Sequence, residues 1–378
     1  MKGRDAAFGL KMRPHARPMN KRFNGQLLTL ARQVRKVSQA ELVTLLAGAV
    51  TQGFLSKIEH GRIQPQETLV EKIALALRFR TGFFYEGVYV REPPISYHRK
   101  RQKLSVRDLE SIHGLAEIFR INLGECLASV EIENPLPPAP AIDPDQYDRD
   151  IDKIAVAIRQ LWRIPRGPIN DITRIIEDSG IIVIKFDFGS TLIDGFCQHG
   201  CDDLPPFIFL NSLQPKDRLR FSAAHELAHV IMHQIPNQEQ EIEANRFASE
   251  FLMPTNEIKH DFDHLSLMKF MDLKRYWGTS MQALIYKAWQ IGKLSDRMFK
   301  YYNIEMAKRG FKRQEPVEAE HLKEEPTTLR WIIDAHTNQL GFSIDDLGEL
   351  FGLLTDDLQK LYPIGRQRPR LRLVVNER

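Results

Sequence analysis

Cysteine is scarce in this sequence: Cys126, Cys197 and Cys201 are the only three in 378 residues. Three thiols exclude a disulfide framework and fit a reducing compartment, so the expected location is cytoplasmic. Long apolar runs are missing too. No stretch approaches the roughly 18 apolar residues that mark a membrane-spanning helix. No apolar segment follows the basic start, so neither a signal peptide nor a membrane partner is expected. Long-period repeats are also absent, which excludes solenoids and propellers. What remains, 43% apolar and 27% charged, is the composition of a water-soluble globular chain. Its length allows two or three domains, each with its own core.

The net charge of +4 conceals a division. Residues 1–107 hold 21 Lys and Arg against 7 Asp and Glu, a balance of +14; the remainder holds 32 against 42, a balance of −10. A basic module joined to an acidic one points to a polyanion as partner of the first and not of the second.

Turn and linker signals divide the chain further. Residues 1–22 lack periodicity and read as a flexible basic arm. Residues 23–90 alternate short helical patterns with turns, and 91–132 read as a helical connector. ENPLPPAPAIDPDQ, residues 133–146, is rich in proline and reads as a semi-extended linker. Residues 147–312 mix helical patterns with two strand-like runs, GIIVIKFDF (180–188) and PFIFLN (206–211). A charged linker, 313–326, precedes a helical region with a basic tail, 327–378.

Within 23–90, Leu27, Leu30, Ala31 and Val34 recur at helical spacing. Ser38 and Glu41 form a capping box for a second helix, Gln39 to Leu46. A turn containing Gly48 leads to a third helix capped by Thr51. Two short helices joined by a tight turn make a helix-turn-helix pattern. Gln52 then faces base edges, where its amide can pair with adenine, and Ser56, Lys57, His60 and Arg62 can reach phosphates or bases. SQAELVTLL followed by TQGFLSKIEHGRIQP resembles the Xre/Cro-type helix-turn-helix repressors. Gly53 departs from the small polar residue usual there and removes one base contact.

In FSAAHELAHVIMHQ, residues 221–234, His225 and His229 stand one turn apart on a helix, about 6 Å between Cβ atoms. Both imidazoles can reach one Zn²⁺ at about 2.1 Å. Glu226 is rotated about 100° from His225, where it can act as a general base on water, the HExxH arrangement of zinc peptidases. His233 lies about 12 Å along the axis from His225, too far for the three to share an ion, and is expected to be structural. A third ligand must come from elsewhere. Glu239, Glu241, Glu243 and Glu250 are available; Glu243 is preferred because it opens EANRFA, beside an apolar helix face. No oxyanion donor is assignable from spacing; Tyr276 and His233 are weak candidates. PFIFLN could offer its edge to an extended substrate. Cys197 and Cys201 frame a C-x-x-x-C loop with a His inside, at non-standard spacing for a metal, and are expected to be ordinary loop or core cysteines.

Residues 150–310 resemble the ImmA/IrrE family of zinc metallopeptidases through FIFLN, RLRFSAAHELAHVIMH, EANRFASEFLMP and YWGTSMQALIYKAWQIGKLSD. ISYHRKRQKLSVRDL (95–109) resembles the connector joining Xre domains to such peptidases. The resemblance implies His225 and His229 as zinc ligands, Glu243 as the third, Glu226 as catalytic base, and another protein as substrate.

Ser343 caps SIDDLGELFG and a further helix follows in TDDLQKLYP, but Asp356 and Asp357 would repel phosphate, so this pair is expected to pack or dimerise. The expected fold is multidomain: an all-α helix-turn-helix domain, an α+β zincin-like metallopeptidase domain and a small helical C-terminal region. The expected function is a homodimeric regulator on double-stranded operator DNA whose zinc peptidase cleaves a partner regulator or itself. The competing readings are a non-proteolytic repressor that uses the zincin fold as a sensor, and an antitoxin- or immunity-type regulator.

Overall fold

In the computed structural model the described residues are 22–85, 90, 104–130, 132–201, 204–312, 314–316 and 324–364. The basic arm (apart from Arg22), residues 95–103 of the connector and the basic tail from 365 lie outside them. In chain order the helices are α1 (Gly25–Val34), α2 (Gln39–Leu45), α3 (Gln52–Glu59), α4 (Glu67–Leu77), α5 (Val106–Leu127), α6 (Ile151–Leu161) and α7 (Ile172–Asp178). Three strands follow, β1 (Ile182–Phe186), β2 (Gly195–Gln198) and β3 (Phe207–Asn211). Then come α8 (Lys216–Met232), α9 (Gln240–Leu252), α10 (Thr255–Ile258), α11 (Leu267–Trp277), α12 (Met281–Gln290), α13 (Asp296–Lys308), α14 (Thr328–Asp334), α15 (Ile344–Phe351) and α16 (Thr355–Leu361). The chain is thus multidomain and mostly helical, with one three-stranded sheet. No described helix is long and apolar enough to cross a membrane.

Two compact units divide the chain. One holds residues 22–85, 90, 117–130 and 329–364 of those described. In it the capping box of Ser38 and Glu41 starts α2, and the Thr51 hydroxyl accepts from the Phe54 amide to start α3. Side-chain caps of this kind satisfy amides that a helix start leaves without partners. Leu27, Leu28, Leu55, Ile58, Ile73 and Leu77 are buried between α1, α3 and α4. Gly25 lets α1 meet the end of α3, since a Cβ there would collide with the carbonyl oxygens of Ile58 and Glu59.

The C-terminal helices pack in this same unit. Ser343 and Asp346 form a second capping box, and Gly352, with φ +64, ends α15. Phe79 bridges Leu353 in an isolated antiparallel pair. Arg35 reaches Asp357 at 2.5 Å, Arg78 reaches Asp356 at 3.6 Å, and Arg80 pairs with Asp345 at 2.6 Å and with Glu349. The acidic residues that argue against phosphate binding are therefore matched to arginines of the first 85 residues.

The other unit holds residues 104–116 and 132–328 of those described. Its sheet has the order β1-β3-β2, with β1 parallel to β3 and β2 antiparallel to it. β3 is therefore the central strand, and the expectation that PFIFLN offers a free edge is overturned: both its edges are hydrogen-bonded. β2, inside the stretch expected as a loop, is short and lacks alternation, so only its pairing with β3 makes it a strand. Cys197 lies on β2 and is buried in the core, while Cys201 is half-buried.

The proline-rich segment 133–146 is not a free linker either. Leu136 and Ala139 donate backbone bonds to Asp178 and Ser179, Ile142 donates to Ile231, and all three side chains pack on the core. Proline keeps that stretch extended, and its spaced apolar residues give it something to bury. Residues 222–232 of α8 are buried except His225, so its second half is enclosed on nearly every side. α9 packs along it, with Phe247, Ala248 and Phe251 turned into the shared core.

Candidate metal centre

α8 brings His225 and His229 to one face, and their Nε2 atoms lie 3.1 Å apart. α9 brings Glu241 to the same point, Oε2 3.7 Å from His225 Nε2 and Oε1 3.5 Å from His229 Nε2. The three ligand atoms lie within 4.8 Å of one another. Ligands at about 2.1 Å in a tetrahedron stand about 3.4 Å apart, so this donor set fits one zinc ion. Without a metal, one of the two Nε2 atoms would have to carry a proton and donate to the other.

The second nitrogen of each histidine is also accounted for. His225 Nδ1 donates to Asn245 Oδ1 at 3.2 Å, and the Asn245 amide is oriented by donating from Nδ2 to the Glu241 carbonyl at 2.6 Å. His229 Nδ1 lies 2.8 Å from His233 Nδ1. Burial, with the neighbouring imidazole charge second, holds His225 down to about 4 and His229 to about 3. Both rings are therefore neutral at physiological pH, the state in which imidazole binds a metal.

Glu226, about 100° round α8 from His225, is buried. Burial, then the charges of Glu241 and Asp194, push its carboxyl well above the ordinary range. β2 passes close by at Gly195, where a Cβ would sit 2.8 Å from the Phe209 carbonyl oxygen and 3.5 Å from Glu226 Cγ. Glycine at this position lets β2 lie close to the β3 backbone, with the Glu226 side chain beside it.

The other expected candidates are placed as follows. Glu243 is buried but is not brought to His225 and His229; its Oε2 accepts from His233 Nε2 at 3.1 Å and from Asn237 at 3.3 Å, while Oε1 meets Arg149 at 2.5 Å. Glu239 is exposed and contacts Arg149. Glu250 is buried against Lys287 at 2.6 Å and also accepts from Thr255. Tyr276 is exposed, its ring edge-on to Trp277. The inward face of α9 is visible in the sequence, but two glutamates two residues apart both lie near it, and position 243 meets His233. Asn245, one turn after Glu241, is the signal that separates them: a polar pair at i and i+4 on an otherwise apolar face.

In the other unit, Gln52, Lys57, His60 and Arg62 are exposed on and after α3, Thr51 is exposed at its cap, and Ser56 is half-buried. Glu59 is taken up from within by Arg32 at 2.8 Å and Gln39 at 2.6 Å, so α3 presents its polar face outward on an anchored base.

Residues 176–288 match the family model of the IrrE N-terminal-like domain, Peptidase_M78. That span begins in α7 and ends in α12, and it contains the whole His225, His229, Glu241 cluster together with Glu226. No curated protein matches the chain significantly.

Proposed function

We propose that this chain is a DNA-binding transcriptional regulator carrying a zinc-dependent peptidase, which cleaves a partner regulator or the chain itself in response to a signal. The observation that carries the peptidase half is the convergence of Glu241 on the two HExxH histidines, within a span that matches a peptidase family. His225, His229 and Glu241 would hold the metal, in place of the set with Glu243 that the sequence favours. Bound zinc supplies a Lewis acid that polarises a carbonyl and lowers the pKa of water toward neutrality. Glu226 would take a proton from the attacking water and deliver it to the departing amine.

The DNA-binding half rests on α2 and α3 as a helix-turn-helix pair. Its exposed Gln52 would read base edges, Lys57 and Arg62 would meet phosphates, and Thr51 and Ser56 would support them, in a homodimer on a palindromic operator. The test of the whole reading is cleavage of the chain, or of the product of the adjacent gene, by zinc-loaded protein and its loss in Glu226→Gln.

A further inference from the structure

His233 looks superfluous beside the metal cluster: it is fully buried, caps the C-terminus of α8, and cannot reach a metal held by His225 and His229. Its position nonetheless fixes a hydrogen-bond sequence with one proton arrangement. His229 can bind a metal through Nε2 only if that nitrogen is bare, which puts its proton on Nδ1. The Nδ1 proton faces His233 Nδ1 at 2.8 Å, so that atom must be bare and accept. The proton of His233 then sits on Nε2, 3.1 Å from Glu243 Oε2, a carboxylate that can only accept while ionised. Arg149 and Asn237 hold that carboxylate from outside.

We propose that Glu243 and His233 form a positioning relay that sets the tautomer of His229, so that its Nε2 is presented bare to the metal. The relay rests on the reading of His225, His229 and Glu241 as a metal site. Each member acts through the next: Glu243 orients His233, and His233 orients His229. The reverse arrangement, with His233 protonated on Nδ1, would push the His229 proton onto Nε2 and block the site. His225 has its own partner in Asn245, so the two ligands are oriented by separate devices. Groups that orient a ligating histidine typically change metal affinity 10–100-fold when removed.

Two measurements on the full chain test this. In the first, zinc dissociation constants are determined by chelator competition for wild type, His233→Leu, Glu243→Leu and the double variant, with thermal melting of the metal-free proteins as the control for folding. The relay predicts a 10–100-fold weaker zinc complex in each single variant and no further loss in the double, because one broken link already disables the sequence. Wild-type affinity in either single variant overturns it. Losses that multiply in the double overturn it as well, and would instead make Glu243 an independent ligand. In the second, ring-nitrogen NMR of metal-free wild type reads the tautomers directly. Protons on His229 Nδ1 and His233 Nε2 are expected; a proton on His229 Nε2 overturns the relay whether or not zinc binds. Wild type that binds no zinc but shows the expected tautomers would defeat the metal reading while leaving the relay in place.

Discussion

Glu241 and His229 meet across two helices, carboxylate Oε1 3.5 Å from imidazole Nε2, while Glu243, two residues further on, meets His233 instead. A step of two residues turns about 200° round a helix, so the two glutamates cannot serve the same point. One is left for the metal and the other for the ring behind it. Glu241→Ala should therefore reduce zinc affinity by more than the roughly 10–100-fold expected from losing a hydrogen bond to a ligand. Chelator competition on Glu241→Ala beside Glu243→Leu measures the difference, and equal losses would contradict this assignment.

Glu250, another glutamate of α9, has a structural use. It lies 2.6 Å from Lys287, and both side chains are almost fully buried. Lys287→Met leaves that carboxylate buried without its cation, a change that typically costs about 3–5 kcal/mol. Denaturant unfolding of the variant should show a loss of that size, and zinc binding by the folded fraction should be unchanged.

The pairs that close this unit were not legible in the sequence, whereas the helices were. The capping box at Ser38, the N-cap at Ser343 and the spacing of His225 and His229 are local signals, so they survive without tertiary information. The third ligand, the central place of β3 and the packing of residues 133–146 depend on what lies opposite in space. Sequence spacing puts Glu241 and Glu243 on different sides of α9 without saying which side meets His225 and His229; Asn245, one turn after Glu241, is the local sign. Likewise the acidity of Asp356 and Asp357 is plain in the sequence, but their partners Arg78 and Arg35 are nearly 300 or more residues away.

Stability should also depend on pH through Glu324, which is buried against Arg220 and accepts from the Ile172 amide. Burial pushes its carboxyl from an ordinary 4.5 up to about 7, despite the charge of Arg220. The folded state then holds this proton more tightly than the unfolded chain. Its contribution is fully present below about 4.5 and is lost as pH rises through about 7. Melting temperatures across that window should fall more steeply for wild type than for Glu324→Gln; parallel profiles would contradict the shift.

For the DNA-binding half, Gln52→Ala should weaken specific operator binding by about 1–3 kcal/mol and relax preference at one base position. Lys57→Ala should instead weaken binding to all sequences alike and lower the salt slope by about one. Footprinting and salt titrations distinguish the two. An unchanged footprint and affinity in Gln52→Ala would remove it as a reader.

The central claim is that a zinc centre on α8 and α9 works with Glu226 as its base. Its most direct test measures bound zinc and proteolysis together in wild type and Glu226→Gln. The account predicts about one zinc per chain in both proteins, with cleavage of the chain or of its adjacent-gene partner in wild type only. Zinc absent from wild type, or cleavage that persists undiminished in Glu226→Gln, would contradict it.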